Sequence, residues 1–408
     1  MSTEEKRVIV IGAGYAGLLA TVRLAGRVKR LPVAITLVNE SDVFVERVRL
    51  HQFAANQSVK RRPLVDSLRG TGACFVRGRV TALSPEEREL VMETGSGIER
   101  LAYDYLLYAL GSTIDCDSVP GVRANAYRLI PAGPLSAEAL RVALPYAAKR
   151  HDRLVVVGGG PTGIEAAAEL KGAYPALDVC LITRGQFGDF TTPKVAGYMR
   201  QSLGRQHIEI VENATVTAVH RNVILTDDGG AFPFDACLWT GGFCVSSLAR
   251  EAGIAVNNRD QVLVDPFLRS VSHSEIYAVG DAAQPAENPG APWRMAAATA
   301  VVMGAHAADC LAAEIKGRTP RPLGFWWLGQ GISLGRRDAV GFSNFPDDVQ
   351  RGPLFTGRLG TAIRESFVRF LTALPAFEQI WPGFFIWPGP RRPAALHSPA
   401  QYTQGATE

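Results

Sequence analysis

Near the start of the chain, a β-branched apolar run, RVIVI (Arg7 to Ile11), ends at a glycine, the mark of a buried strand. The segment GAGYAGLLATVRLAG follows with apolar positions at helical spacing, and a second run, AITLV, covers Ala34 to Val38. Strand, tight turn, helix and strand make a βαβ unit with a parallel pair. The same order restarts at Arg153, with RLVVV, then GGGPTGIEAAAEL, then DVCLI ending at Ile182. Two such units about 146 residues apart (Arg7 to Arg153) predict two nucleotide-binding domains and exclude a short-period repeat.

The stretches after each unit also correspond. CFVRGRVTAL (Cys74 to Leu83) and YDYLLYALGS (Tyr103 to Ser112) follow the first; HIEIVENATVTAV and FDACLWTGG (Phe234 to Gly242) follow the second. A further strand, EIYAVGDAA (Glu275 to Ala283), precedes a small-residue helix from Met295 to about Ile315. The pattern predicts an α/β protein with two Rossmann-like domains. The first comprises residues 1–118 and 253–320, the second residues 119–252, and a C-terminal region covers 321–408.

That last region is rich in aromatics and proline. It holds four of the six tryptophans, Trp326, Trp327, Trp381 and Trp387, and we expect a poorly ordered tail after about Pro390. From Arg358 to Leu374, Leu359, Ile363, Phe367, Phe370, Leu371 and Leu374 recur at helical spacing with Arg358, Arg364 and Arg369 between them. With IWPGFFIWP behind it, such a helix lies in a membrane interface, packs on the chain's own core, or forms a dimer contact.

Composition narrows the classes. The chain has 408 residues, 47% hydrophobic and 20% charged, which excludes a disordered, collagenous or coiled-coil protein. A net charge of +4, from 43 basic and 39 acidic residues, gives no support to nucleic-acid binding. The six cysteines (Cys74, Cys116, Cys180, Cys237, Cys244 and Cys310) show neither zinc-ligand nor disulfide-framework spacing, so no metal is expected and reduced thiols are. The N-terminus is charged and turns directly into strand, and no stretch approaches 18 uninterrupted apolar residues. A cytoplasmic protein is expected, peripheral at a membrane if the C-terminal helix binds one.

The candidate chemistry starts with Gly12-x-Gly14-x-x-Gly17, which follows a strand and opens a helix. The first glycine makes the turn, the second admits a pyrophosphate to the backbone, and the third lets helix pack on strand. Asn39 or Glu40, at the end of the second strand, is placed to meet a ribose. Gly158-x-Gly160-x-x-Gly163 repeats the setting, but its second strand ends in Thr183-Arg184. A carboxylate there would favour NADH; an arginine suits a 2′-phosphate or simply faces solvent. Gly280-Asp281 ends a third strand, where a carboxylate accepts hydrogen bonds from a flavin's ribityl hydroxyls. The helix after it aims its positive end at the flavin pyrimidine.

The ordered series GAGYAG, YDYLLYALGS, GGGPTGIE, FDACLWTGG and IYAVGDAA resembles the two-dinucleotide-binding-domain flavoproteins of the pyridine nucleotide-disulfide oxidoreductase superfamily. Within it, the layout is similar to type II NADH dehydrogenases and apoptosis-inducing-factor-like flavoproteins. The resemblance implies FAD on Gly12, Gly14, Tyr15, Ala16, Gly17, Asn39, Glu40, Arg47, Val80, Ala109, Gly111, Gly280, Asp281, Met295 and Ala296. It implies NADH or NADPH on Gly158, Gly160, Thr162, Gly163, Thr183, Arg184, Gly241 and Gly242. It places Glu165 near nicotinamide and flavin, and His51 near the flavin as a proton shuttle or a structural histidine.

Departures from the superfamily's patterns narrow the chemistry. No C-x-x-C or single flavin-side cysteine is present, and no cysteine follows Cys310, which disfavours disulfide-reductase and sulfide:quinone reductase chemistry. Cys237 and Cys244 read as packing residues. Val302-Met303 stands where type II dehydrogenases carry a glutamine pair beside the quinone. The leading expectation is an FAD-dependent NAD(P)H oxidoreductase acting on a quinone or quinone-like acceptor. A soluble reductase or dehydrogenase of a specific small metabolite and a nucleotide-responsive interaction flavoprotein whose reduced state changes dimerisation are the alternatives, and a homodimer is a possible partner state.

Overall fold

The computed structural model describes residues 5–285, 293–325, 327–344 and 350–387. Trp326 and the expected tail after Pro390 lie outside the described residues. In the first domain, strand β1 (Lys6–Ile11) leads into helix α1 (Tyr15–Val28) and strand β2 (Val33–Asn39). A short helix α2 (Leu50–Ala54) precedes β3 (Cys74–Arg77) and β4 (Tyr105–Tyr108). The parallel sheet is completed on the far side of β4 by Ile276–Ala278, a strand that returns after the whole second domain. Val8, Val10, Ile11, Leu37, Leu106 and Leu107 are buried within it, as the unbroken apolar runs require of a sheet covered on both faces.

Register decides where the chemistry sits. Ile11 pairs with Val38 and with Tyr108, and Tyr108 pairs with Ala278. The four carboxyl ends therefore share one edge, with Gly12, Asn39, Ala109 and the Gly280-Asp281 turn side by side beyond it. Ligands of open parallel sheets bind at this edge.

The chain crosses to the second domain through β5 (Ser112–Ile114). There β6 (Arg153–Val157), α3 (Pro161–Ala173), β7 (Asp178–Ile182) and β8 (Ala236–Trp239) rebuild the same unit, with Val157 paired to both Ile182 and Trp239. Return is through β9 (Phe243–Val245), which pairs antiparallel with β5. After β10 (Ile276–Ala278), helix α4 (Ala297–Ile315) packs against α1. Its length and hydropathy would cross a bilayer, but 72% of that window is buried, which makes it a core helix.

A three-stranded antiparallel sheet follows, β11 (Gly329–Ser333), β12 (Ala339–Asn344) and β13 (Gln350–Thr356), and then helix α5 (Gly357–Ile380). This region is not a detached unit. Leu371, Leu374 and Phe385 share a buried cluster with Leu19 of α1 and Val301, Val302 and Ala305 of α4. Arg23, 3% exposed, donates to Glu378, 0% exposed, at 2.6 Å and to Asp309 at 2.6 Å. Removing one partner of such a buried pair costs about 3–5 kcal/mol.

Candidate active site

Both glycine loops carry a tight turn, an open position and a close helix–strand approach. Gly12 has φ +95° and Gly158 φ +120°, backbone that favours glycine. A Cβ on Gly17 would lie 1.9 Å from Gly12 O, and one on Gly163 would lie 1.9 Å from Gly158 O. Nothing lies within 4 Å of a Cβ on Gly14 or Gly160, the N-caps of α1 and α3. Neither helix has a side-chain cap or an acidic residue in its first turn. Each loop thus presents open space, uncapped N–H donors and a positive helix end, which fits a dinucleotide pyrophosphate.

Around the first loop, Asn39 Oδ1 accepts from Ala13 N at 2.9 Å, so this side chain braces the turn. The neighbouring Glu40 is exposed. Ala109 faces Gly12 and Gly17 across the sheet edge, and Gly111 (φ +67°) turns the chain toward β5. Tyr15 packs edge-on against Phe44, with ring centroids 5.2 Å apart, and burial beside Glu46 pushes its phenol well above the usual range. Ala16 is buried under the loop, whereas Val80 is half-buried on the adjoining hairpin. Met295 is half-buried too, and Ala296 forms the extended N-cap of α4.

Asp281 accepts from Ser112 Oγ at 2.6 Å, and Arg47 donates to Ser112 O. Burial raises the Asp281 pKa, while the Ser112 hydroxyl and the Arg47 charge act against that rise. Arg47, Ser112 and Asp281 therefore form one linked unit in which Ser112 orients a half-buried carboxylate. Ser112 was missed in the sequence; it lies at the end of the YALGS run, four residues beyond β4.

At the second loop, Thr183 is 7% exposed and packed beneath Gly159, where a Cβ would sit 2.2 Å from its hydroxyl. Arg184 beside it is exposed. Thr162 lies half-buried in the first turn of α3, and Gly241 and Gly242 (φ +77°) carry the chain from β8 into β9.

The two domains and the C-terminal region meet at Glu165. Its Oε1 accepts from Arg364 Nη2 at 2.9 Å, from Arg364 Nε at 3.2 Å and from Ser333 N at 2.9 Å. Its Oε2 lies 3.9 Å from His51 Nε2. Arg364 also reaches Glu365 at 2.7 Å, and Glu365 accepts from Arg49 at 2.8 Å and Gln52 at 3.2 Å. Those three contacts hold the Glu365 carboxyl down at about 2 despite its partial burial. His51 is 2% exposed, and burial pushes its imidazole down to about 4, so it is neutral near pH 7. Among the described residues its Nε2 has no hydrogen-bond partner.

Arg364 reads in the sequence as part of the basic face of an amphipathic helix, yet it is 6% exposed. A signal was available: Gly360, Arg364, Val368 and Leu371 lie along one stripe of α5, and that stripe is the buried one. The thiols take no part in this site. All six are free, and burial pushes Cys180 and Cys237 up to about 12.

The family described as pyridine nucleotide-disulphide oxidoreductase matches residues 6–307. The chain belongs to that family. It is an oxidoreductase with FAD and NAD(H) as cofactors, and its six cysteines are free. It is similar to the demethylphylloquinone reductase NdbB of Synechocystis, 26% identical over 354 residues, covering 83% of this chain and 87% of that protein. It is also similar to a type II NADH:quinone oxidoreductase of Staphylococcus epidermidis, 24% identical over 369 residues, covering 84% and 90%. Among solved structures, NDH2 from Plasmodium falciparum in complex with NADH superposes with a TM-score of 0.76 at 16% identity, covering 93% of this chain and 99% of that one. At that identity the superposition speaks to the fold alone.

Proposed function

We propose that this family member is an NAD(P)H:quinone oxidoreductase that works against a membrane surface. The observation that carries the proposal is the outer face of α5. Leu359, Ile363, Phe367 and Phe370 stay 38–61% exposed although the helix is otherwise packed, and Ile380, Trp381, Phe384 and Ile386 extend the apolar surface. Arg358 and Arg369 flank it. An aromatic, basic-edged surface of this kind suits the boundary of a bilayer. A lipophilic acceptor would reach the protein there, which a water-soluble metabolite has no need to do. The named relatives, a demethylphylloquinone reductase and a type II NADH:quinone oxidoreductase, support a quinone as acceptor.

When bound, FAD supplies a ring that takes a hydride from nicotinamide and passes the electrons on. The chain's own residues do the rest. The loops at Gly12 and Gly158 would hold the two pyrophosphates in a fixed orientation. Asp281, braced by Ser112 and Arg47, orients the flavin chain, and Glu40 takes a ribose. Glu165, fixed by Arg364 and Ser333, holds its carboxyl beside neutral His51 where the two domains meet. With Arg184 exposed and no carboxylate at its strand end, the nucleotide site accepts NADPH as well as NADH.

The test is an acceptor screen on flavin-loaded protein, with and without anionic lipid vesicles. Turnover with quinones, increased by vesicles that also bind the protein, is expected. Turnover confined to one soluble metabolite, or association as a dimer with no vesicle binding, would overturn the reading.

A further inference from the structure

One turn beyond Glu165 on the same face of α3 lies Glu169, a carboxyl that none of the foregoing chemistry uses. It is 1% exposed, and its Oε2 has no hydrogen-bond partner among the described residues. Its Oε1 accepts from Gln57 Nε2. Gln57 is half-buried and accepts in turn from Arg336 Nη1 at 2.6 Å. Arg336 itself is 61% exposed and 3.8 Å from Glu169. An unpaired oxygen on a buried carboxylate is costly, and a proton removes that cost. The charged groups facing Glu169 are Glu165 on its own helix, Arg364 from α5 and Arg336 from the turn between β11 and β12. The balance raises the Glu169 pKa, burial being the largest cause.

We propose that Glu169 is a relay carboxyl that carries protons between solvent at Gln57 and Arg336 and the site at Glu165. The inference rests on the quinone reading above. The balanced reaction is NADH + H⁺ + quinone → NAD⁺ + hydroquinone. A hydride brings two electrons and one hydrogen nucleus, and the second hydrogen must arrive as a proton at a site covered by protein and lipid. A proton leaves Glu169 for the Glu165 carboxylate and goes on from it to the acceptor oxygen, and Glu169 is recharged from water at the Gln57 end. Both carboxyls finish unchanged. Carboxyls at positions i and i+4 have Cβ atoms about 5–6 Å apart, within reach of each other directly or through one water.

The variant Glu169→Gln keeps shape and hydrogen bonding and removes the proton carrier. The flavin-loaded variant should keep its flavin and its stopped-flow rate of reduction by NADH. Its reoxidation by a soluble quinone should slow by roughly a hundredfold, acquire a larger solvent deuterium isotope effect, and recover on addition of formate as a small proton donor. The unmodified protein without quinone should show a protonated-carboxyl infrared band at neutral pH that shifts in D₂O and is missing in Glu169→Gln. Equal slowing of both half-reactions without formate rescue would make Glu169 structural and overturn the relay. So would an unchanged reoxidation rate, or absence of that infrared band. If quinone fails to reoxidise the unmodified enzyme, the quinone reading falls first and takes the relay with it.

Discussion

The clearest consequence at the scale of single residues is a pH dependence built from two buried histidines. Burial moves both His51 and His306 from 6.5 to about 4. The unfolded chain therefore binds more protons than the folded one between those values. Stability is full above pH 6.5 and falls as the pH drops toward 4, by on the order of 3 kcal/mol per histidine. Urea midpoints should decline across that window, and the variants His51→Asn and His306→Asn should each flatten the decline. A slope unchanged in both would contradict the burial argument. Asp281→Ala should lower flavin occupancy of the purified protein, read from the visible absorbance, because it leaves Ser112 and Arg47 without their shared partner. Arg184→Ala should reduce kcat/KM for NADPH by roughly tenfold or more and leave that for NADH nearly unchanged, a charge-assisted phosphate contact being worth about 1.5–3 kcal/mol. Glycines 12, 14, 17, 158, 160 and 163 were legible in the sequence because each answers to a local constraint: a turn, an approach or a packing distance. The partners of Glu165 were not, since Ser333 and Arg364 lie more than 160 residues away.

Among the secondary-structure elements, the two βαβ units announced themselves through periodicity, whereas the C-terminal region showed only its helix. β11 and β12 are short and glycine-bearing, so their alternation is too weak to mark a sheet. α5 was legible as amphipathic but not as two-faced. Its inner stripe carries Arg364 and Glu378 as well as Leu371 and Leu374, because charges can be buried when their partners are built in. The tie to α1 is close: a Cβ on Gly26 would lie 2.3 Å from Pro382. Arg23→Met should therefore cost about 3–5 kcal/mol in chemical denaturation, by stranding Glu378 while Asp309 keeps Arg27. The double variant Arg23→Met/Glu378→Leu should recover only part of that loss, because the amides of Gly383 and Phe385 then lose their acceptor. On the outer face, Leu359→Ser with Phe367→Ser should abolish sedimentation with anionic vesicles while leaving the melting temperature within a degree or two, since both side chains already face water. Vesicle binding that survives this pair would move the membrane contact elsewhere.

Taken as a whole molecule, the chain is two copies of one nucleotide-binding plan, joined by the antiparallel crossing of β5 and β9 and braced by a C-terminal region that touches both. That brace joins Glu46, Arg49 and Gln52 of the first domain, Glu165 of the second, and Arg364 and Glu365 of α5 into one charge network. The nucleotide helix and the apolar outer surface thus belong to one mechanical unit, a relation that only the folded chain reveals. The central claim is that reducing equivalents enter from NAD(P)H and leave to a quinone. Anaerobic double-mixing stopped flow on the flavin-loaded protein tests it most directly. NADH should bleach the flavin absorbance in the first mix, and a quinone in the second should restore it at a rate no slower than steady-state turnover, with one hydroquinone formed per NADH consumed. A flavin that stays bleached with quinone, yet recovers at once with a single water-soluble metabolite, would contradict the account.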